Sequence, residues 1–162
     1  MKALWSRWRV IVVPVLLIAA IGVAVWAQRE KPTGPPDITY GVDICYQCGM
    51  IISDPRFAAA YRLESDVARK FDDLGEMLAA LPKEEETIVE IWIHDFESEE
   101  WIDAKTAVYV HSDQLQTPMG FAIAAFSDAE RAHAFARGWD GRVMTWDDLA
   151  SGDTVPVEEH VP

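Results

Sequence analysis

The stretch FDDLGEMLAALP, residues 71–82, predicts the end of a strand followed by a short amphipathic helix. Four apolar residues recur at the spacing of one helix face: Leu74, Met77, Leu78 and Leu81. Asp73 and Glu76 have the spacing of a capping box, and Pro82 follows the last apolar residue. The stretch therefore predicts a helix over 74–81 that buries one face.

Segments typical of strands lie on both sides of this helix. Residues 57–63 and 67–71 precede it and are separated by the turn signal Ser65-Asp66, so they predict a hairpin. Residues 87–96 follow it, and their apolar and polar side chains alternate with a period of two. The first half of the domain therefore has the predicted order strand, strand, helix, strand.

The same order recurs in the second half. Four segments carry it: predicted strands at 107–110, 120–126 and 142–146, and a predicted helix at 128–137. Ser127 and Glu130 have capping-box spacing, and Gly138 ends the helix. The halves also share a four-residue motif, which is Phe71-Asp72-Asp73-Leu74 in the first and Trp146-Asp147-Asp148-Leu149 in the second. Capping explains the paired acids better than acid–base catalysis does.

Two tandem ββαβ units, about 43–97 and 101–150, predict an α+β fold with antiparallel sheets covered by helices. Together they form a domain over 43–150, preceded by a linker at 28–42 and followed by a disordered acidic tail at 151–162. The linker is inferred from residues that disfavour regular structure: Pro32, Gly34, Pro35 and Pro36.

Residues 10–27 form an uncharged apolar run that is long enough to cross most of a bilayer. Lys2, Arg7 and Arg9 precede the run, and the first acid is Glu30. This asymmetry predicts a single-pass membrane helix with the domain on the periplasmic, extracytoplasmic side. A cleaved signal peptide remains an alternative, although such apolar cores usually span about 7–15 residues. Both interpretations place the domain outside the cytoplasm. The basic residues before the apolar run argue against a third interpretation, a helix buried in the protein core.

The exported part is strongly acidic. All 27 acidic residues and 11 of the 14 basic residues follow the apolar run, which gives this part a formal charge of −16. Such a surface repels nucleic acid and attracts cations or basic proteins. For most of these acids, the simpler interpretation is that they keep an exported protein soluble.

The segment CYQCGM, residues 45–50, is the strongest chemical signal. Cys45 and Cys48 are the only cysteines, and their spacing allows both thiols to bind one ion from a single turn. Gly49 permits the backbone conformation that brings a third ligand round. Because a thioether is a poor ligand for zinc and a good one for Cu(I), Met50 favours copper(I). Core packing is the alternative role for Met50, while Cys45 could be a ligand, an oxidation partner of Cys48 or a small buried residue.

Other sulfur and imidazole groups are weaker candidates. Met119 precedes Gly120 and an apolar strand, so it could project into a cleft between the halves or pack in the core. His94 and His111 lie near predicted strand ends, and either could complete a site. Met77 and Met144 fit the periodic apolar pattern and are assigned to the core.

Over about 43–149 the sequence resembles the NosL family, copper chaperones for the maturation of nitrous oxide reductase. Three segments carry the resemblance: Cys48-Gly49-Met50, Phe71-Asp72-Asp73 and Met119-Gly120. The resemblance implies two ββαβ halves, Cu(I) binding by Cys48, Met50 and Met119, and delivery of copper to a multicopper enzyme outside the cytoplasm. The partner would be nitrous oxide reductase or another copper-handling protein. Many members are lipoproteins acylated on an N-terminal cysteine, whereas no cysteine precedes Cys45 here, so the expected anchor is peptide.

Three classes of function therefore compete. The leading hypothesis is a metallochaperone, which is not an enzyme. The alternative is an exported thiol–disulfide oxidoreductase that uses Cys45 and Cys48. Such chemistry favours a CxxC at a helix N-terminus, whereas Gly49 and the turn signal Asp54-Pro55 follow this one. A structural zinc site normally has four ligands, and only two are grouped here.

Overall fold

The computed structural model describes residues 33–151 together with Val15 and Ile18. The chain divides into two compact units, Met1–Thr33 and Gly34–Pro162, and Val15 and Ile18 are exposed helical residues of the first. No helix among the described residues combines the length and apolarity that crossing a bilayer requires. Apart from those two residues, the predicted membrane helix at 10–27 lies outside the described residues. The predicted tail after residue 151 lies outside them too.

The first sheet of the second unit has four antiparallel strands in the order β2-β1-β3-β4. Its strands are β1 (Ala59–Leu63), β2 (Ala68–Phe71), β3 (Ile88–His94) and β4 (Trp101–Asp103). Helix α1 (Leu74–Ala80) follows β2 and continues into a 3-10 turn, Leu81–Lys83. Strand β1 is paired on both sides and every residue of it is buried, which explains why the small side chains of Ala59 and Ala60 fit there.

The second sheet has three antiparallel strands in the order β6-β5-β7. Its strands are β5 (Val108–His111), β6 (Ile123–Phe126) and β7 (Arg142–Met144). Helix α2 (Ala129–Gly138) joins β6 to β7, and the short helix α3 (Trp146–Ala150) follows β7. In each sheet, the strand that comes first along the chain lies between the strands immediately before and after the helix. The predicted α+β class and its antiparallel sheets are confirmed.

Several local predictions need correction. Asp128 rather than Ser127 caps α2, because the Asp128 carboxylate accepts the Arg131 N–H. The final strand ends at Met144 because Thr145 caps the unpredicted helix α3. Strand β6 begins only at Ile123, since Gly120 and Ala122 adopt positive φ angles of 79° and 60°. Strand β4 was not predicted either.

The shared four-residue motif does not mark equivalent positions in the two halves. Phe71-Asp72-Asp73-Leu74 joins β2 to α1, whereas Trp146-Asp147-Asp148-Leu149 forms the first four residues of α3, after the last strand. By topology, the counterpart of the first motif is Phe126-Ser127-Asp128-Ala129, which joins β6 to α2.

The two sheets are linked by hydrogen bonds and share core residues. The Asp95 carboxylate, just after β3, accepts the Ser127 N–H at 2.6 Å and its hydroxyl at 2.7 Å. One apolar cluster contains residues of both halves, including Met77 and Met144, whose predicted core positions are confirmed. Cys48 and Met119 are partly buried against this same cluster. The thiol segment and the Met119 segment therefore pack against one shared core.

Candidate metal centre

The segment 45–50 forms a closed loop. An isolated antiparallel bridge joins Ile44 to Ile51, and the Cys45 N–H donates to the Met50 carbonyl at 2.7 Å. Inside the loop, the Gly49 N–H donates to the Cys45 carbonyl at 3.1 Å, and Gly49 has a φ of 75°. An L-residue rarely adopts that angle, so glycine allows the chain to turn back after Cys48.

Strand β2 holds the loop beside the start of α1. The Tyr46 N–H donates to the Lys70 carbonyl at 2.8 Å, and Asp72 follows directly after the last residue of β2. The Cys48 Sγ lies 3.5 Å from Asp72 Oδ1, at the distance of a weak thiol hydrogen bond. This strand end therefore positions a carboxylate against the second thiol.

Two thiols and a carboxylate converge at this place. The Sγ atoms of Cys45 and Cys48 and a carboxylate oxygen of Glu76 all lie within 4.8 Å of one another. Cys45 and Glu76 are buried, and Cys48 is partly exposed. Asp72 is also buried, and its Oδ2 has no hydrogen-bond partner among the residues that the structure describes. A buried carboxylate oxygen left unpaired is costly, and a bound cation would compensate it.

Asp73 connects the second half to the same helix start. Its carboxylate caps α1 through the Gly75 N–H at 2.9 Å. The other oxygen accepts the Thr117 hydroxyl at 2.5 Å and the Met119 N–H at 3.0 Å. Phe121 packs against α1 so closely that a Cβ built on Gly75 would lie 1.9 Å from its ring. Asp73 thereby fixes the backbone of Met119. Its sequence neighbour Asp72 carries the carboxylate that contacts Cys48.

Burial and negative charge keep protons on the thiols of the metal-free site. Burial raises the pKa of the Cys45 thiol far above its ordinary value. Burial also raises the pKa of Cys48, and the charges of Asp72 and Glu76 act in the same direction. The pKa of Asp73 is raised by burial, against the opposing effect of its three hydrogen bonds. A metal ion that binds as a thiolate complex must therefore displace protons.

The four predicted ligands differ in how the structure places them. Cys45 and Cys48 are brought together. Met50 closes the loop through its carbonyl and leaves its side chain half exposed at the rim. Met119 is fixed through its backbone to the neighbouring Asp73. Their assignment as ligands stays a prediction.

Sequence reasoning missed two acidic groups of this centre, Asp72 and Glu76, because it read the acids only as helix caps. A usable signal was present in α1, whose other residues are all apolar or glycine. A helix that is apolar nearly all round is buried, so its one acid had to be buried as well.

The two candidate histidines lie in other surroundings. Both ring nitrogens of His94 are engaged, one 2.8 Å from the Tyr40 hydroxyl and the other 2.7 Å from the Glu99 carbonyl. Its ring also packs on Trp101, and burial lowers its pKa. His111 Nε2 lies 3.9 Å from Asp113. Neither belongs to the three-residue cluster found among the described residues.

Comparison with known proteins identifies the family of this chain. The NosL family model matches residues 38–153, which span both sheets and every candidate ligand. The chain belongs to the NosL family.

Individual NosL proteins show the extent of the similarity. The copper-binding lipoprotein NosL of Stutzerimonas stutzeri is 30% identical over 145 residues, which cover 82% of this chain and 76% of that protein. The crystal structure of the copper chaperone NosL from Shewanella denitrificans superposes with a TM-score of 0.62 at 21% identity. That match covers 74% of this chain and 96% of the other, and it shows a shared NosL fold.

The residues of this NosL domain fit a soft cation. Thiolates and thioethers are the ligands that copper(I) prefers, and the centre offers two thiols on the loop that Met50 closes. The unpartnered oxygen of Asp72 supplies negative charge within the same buried region. The donor set and the local charge therefore fit a soft metal cation.

Proposed function

We propose that this chain is an extracytoplasmic copper chaperone that binds Cu(I) and delivers it to nitrous oxide reductase, a multicopper enzyme. The convergence of Cys45, Cys48 and Glu76 beside the unpartnered oxygen of Asp72 carries the proposal. Membership in NosL and the copper named in both relatives support it.

Cys48 is the principal ligand in this proposal. Its thiolate supplies both negative charge and softness, and its partial exposure gives copper a way in and out. Cys45 is deeper and its pKa is raised further, so it gives up its proton less readily. Met50 adds a thioether at the exposed edge, where an approaching protein can replace it first.

Met119 is the proposed ligand from the second half. Its backbone is fixed by Asp73, and its side chain is partly buried against the cluster that includes Cys48. Copper bound in this way would join the two ββαβ halves, proposed at about 43–97 and 101–150. It would also immobilise the segment before Gly120.

The release mechanism is ligand exchange, with no chemical turnover. Ligands of the receiving protein would replace Met50 at the exposed rim and then Cys48, so that copper is never released into solvent. The Cys48 thiolate freed in this step would take up a proton from solvent, and the restored thiol would again donate its hydrogen bond to Asp72 at 3.5 Å.

Thiol–disulfide oxidoreductase activity is less well supported. Such enzymes lower the pKa of the attacking cysteine, often at a helix N-terminus. Here both cysteines lie on a loop before β1, and both thiol pKa values are raised. The geometry therefore favours a binding protein over an enzyme.

The proposed location is the outer face of the cell membrane, with residues 10–27 as a single-pass anchor. The similar protein from Stutzerimonas stutzeri is named a lipoprotein, which supports an extracytoplasmic domain attached to a membrane. Mass spectrometry of protein purified from membranes tests the anchor. We expect residues 1–27 to be retained, and a chain beginning at Gln28 would contradict it.

Competitive titration against a Cu(I) chelator under reducing conditions tests the copper site. Replacing Cys48 with Ser removes the main ligand, so we expect affinity to fall by more than the roughly 10–100-fold typical of an outer-shell change. Glu130→Gln, which lies on the exposed start of α2, is a control that should leave affinity unchanged. Equal affinity of the wild-type protein and Cys48→Ser would refute the assignment.

Met119→Leu tests the fourth ligand separately. Leucine keeps nearly the same volume and apolarity, so a weaker copper complex would report on the sulfur. Met77→Leu is the matched control, because Met77 is fully buried in the core. We expect weaker binding only in Met119→Leu, with little change in the melting temperature of the metal-free protein. Unchanged affinity would remove Met119 from the site.

A further inference from the structure

Met119 lies in a tight turn formed by residues 117–120. The Gly120 N–H donates to the Thr117 carbonyl at 3.1 Å, which closes the turn. Pro118 occupies the second position, where its ring presets the φ angle that such a turn requires. Gly120 has a φ of 79°, an angle that residues with a Cβ rarely adopt. The residues on either side of Met119 therefore restrict its backbone.

The Thr117 hydroxyl connects this turn to the first half of the domain. Its O–H donates to the Asp73 carboxylate at 2.5 Å, and its oxygen accepts the Ala122 N–H at 3.3 Å. The same Asp73 oxygen accepts the Met119 N–H at 3.0 Å. One hydroxyl thus joins the start of α1 to the chain before and after Met119.

Ala122 is the residue that leads from the turn into β6. Its φ of 60° lies in the left-handed region, which is unfavourable for a residue with a Cβ. Two hydrogen bonds hold this conformation, because the Ala122 N–H donates to the Thr117 hydroxyl and the Ala122 carbonyl accepts the Ser112 N–H at 3.0 Å. Loss of the hydroxyl would remove one of these two restraints.

Solvent does not easily replace the Thr117 hydroxyl at this place. Its acceptor Asp73 is fully buried, and the same carboxylate also accepts the Gly75 and Met119 N–H groups. A buried acceptor that loses one donor remains poorly satisfied, so the bond contributes more than an exposed one does. The hydroxyl is therefore a structural link between α1 and the turn.

A thioether ligand benefits from such a link. It is uncharged, and immobilising the long methionine side chain costs conformational entropy. Holding the backbone in place before binding reduces the remaining cost. Asp72 contacts the Cys48 thiol at 3.5 Å, and the next residue, Asp73, holds the Met119 turn. Two consecutive carboxylates thus restrain the two proposed ligands of separate halves.

We infer that Thr117 is a positioning residue for copper(I), whose hydroxyl holds the Met119 backbone where the thioether can join the Cys48 thiolate. This role rests on the proposed copper function, with Met119 as a ligand. Thr117 itself offers no soft donor atom. It affects copper affinity only through Met119, and that dependence separates positioning from a general structural role.

A double-mutant cycle tests this dependence in the full-length protein in detergent under reducing conditions. Competition with a Cu(I) chelator measures the affinity of wild type, Thr117→Val, Met119→Leu and the double variant. Valine has nearly the shape of threonine and lacks the hydroxyl. We expect about fivefold weaker binding in Thr117→Val, the effect of one typical net hydrogen bond. In the Met119→Leu background, the same change should leave the affinity unaltered.

Two further variants serve as controls. Thr117→Ser retains the hydroxyl and should restore the wild-type affinity. Thr106→Val removes an exposed hydroxyl that donates to the Asp103 carbonyl at 3.2 Å, between β4 and β5, and should leave copper affinity unchanged. Amide hydrogen exchange of the metal-free wild-type protein adds a measurement that needs no variant. The Met119 and Ala122 amides should exchange at least about tenfold more slowly than in an unfolded chain.

The possible failures are distinguishable. Wild-type affinity in Thr117→Val, or an equal loss in both backgrounds, would overturn the positioning role. Unprotected Met119 and Ala122 amides would overturn it too, whether or not Thr117→Val folds, because the hydrogen bonds would then be absent in solution. Unchanged affinity in Met119→Leu would remove the ligand that Thr117 positions. Failure of the wild-type protein to bind Cu(I) would instead overturn the proposed function.

Discussion

The β2–α1 and β6–α2 junctions occupy the same place in their sheets but have different chemistry. Each leads from an edge strand into the helix of its half, and each begins with a fully buried phenylalanine, Phe71 or Phe126. Each helix also has an aspartate N-cap, Asp73 or Asp128. The backbone plan of the two junctions is therefore closely similar.

The surroundings of the two junctions differ. Asp72, Asp73 and Glu76 are all buried in the first junction, whereas residues 127–131 of the second are exposed. The loop 45–50 and the Met119 segment contact the first helix start. At the second, Asp128 caps only the Arg131 N–H, and the Arg131 side chain pairs with Glu97 at 2.9 Å. The comparison teaches that covering a helix start can turn a capping motif into part of a binding site.

Removing the two caps should give the largest contrast. Asp73→Ala leaves the Gly75 and Met119 N–H groups and the Thr117 hydroxyl without their acceptor. We therefore expect the free energy of unfolding to fall by about 3 kcal/mol. Asp128→Ala removes one exposed cap and should cost about 1 kcal/mol. Urea denaturation of the metal-free protein measures both. Equal losses would show that the first junction is only a cap.

The pH dependence of copper affinity should be nearly as large. The pKa of Cys48 is raised, so copper must displace its proton throughout the neutral range. Affinity should therefore increase with pH, by about tenfold per unit for one thiolate, or about 2.7 kcal/mol over two units. Chelator competition at several pH values measures the slope, and Cys48→Ser should reduce it. A wild-type affinity independent of pH would contradict protonated thiols.

Packing at the helix starts can be compared with Gly75 and its counterpart Glu130. Gly75→Ala places a Cβ against the Phe121 ring and should cost about 2 kcal/mol through overpacking. Glu130→Ala changes an exposed position and should stay within about 0.5 kcal/mol. Thermal unfolding of the metal-free variants provides the measurement. An unaffected Gly75→Ala would mean that Phe121 is not held against α1.

The smallest expected effect concerns the residue before each cap. Asp72→Asn removes a buried negative charge beside Cys48, so Cu(I) affinity should fall about tenfold, or about 1.4 kcal/mol. Ser127→Ala removes a hydroxyl that donates to Asp95 at 2.7 Å, which should affect stability and leave copper affinity unchanged. Chelator competition distinguishes the two. A similar affinity in Asp72→Asn and wild type would exclude the carboxylate from the site.

Local patterns predicted much of the fold correctly. Period-two alternation predicted β3, and apolar spacing with Asp73 and Pro82 predicted α1 within a residue. The predictions failed where tertiary contacts set the boundaries. Strand β4 has only three residues and is defined by its pairing with β3, while the positive φ of Ala122 delays the start of β6. The similarity of the motifs that begin at Phe71 and Trp146 also gave a wrong equivalence between the two halves. Four residues do not reveal which strand or helix precedes them.

The sequence by itself determined the soft-donor motif of Cys45, Cys48 and Met50, the strand and helix periodicities, and the resemblance to NosL. These depend on residue type and short spacing, which the chain carries whatever its folded shape. Only the tertiary structure decided that Asp72 and Glu76 are buried beside the thiols, and that Asp73 holds the Met119 segment. Asp73 and Met119 are 46 positions apart, and burial depends on which distant segment covers a residue. The spacing along the chain does not contain that information, because packing of the two halves around one core creates it.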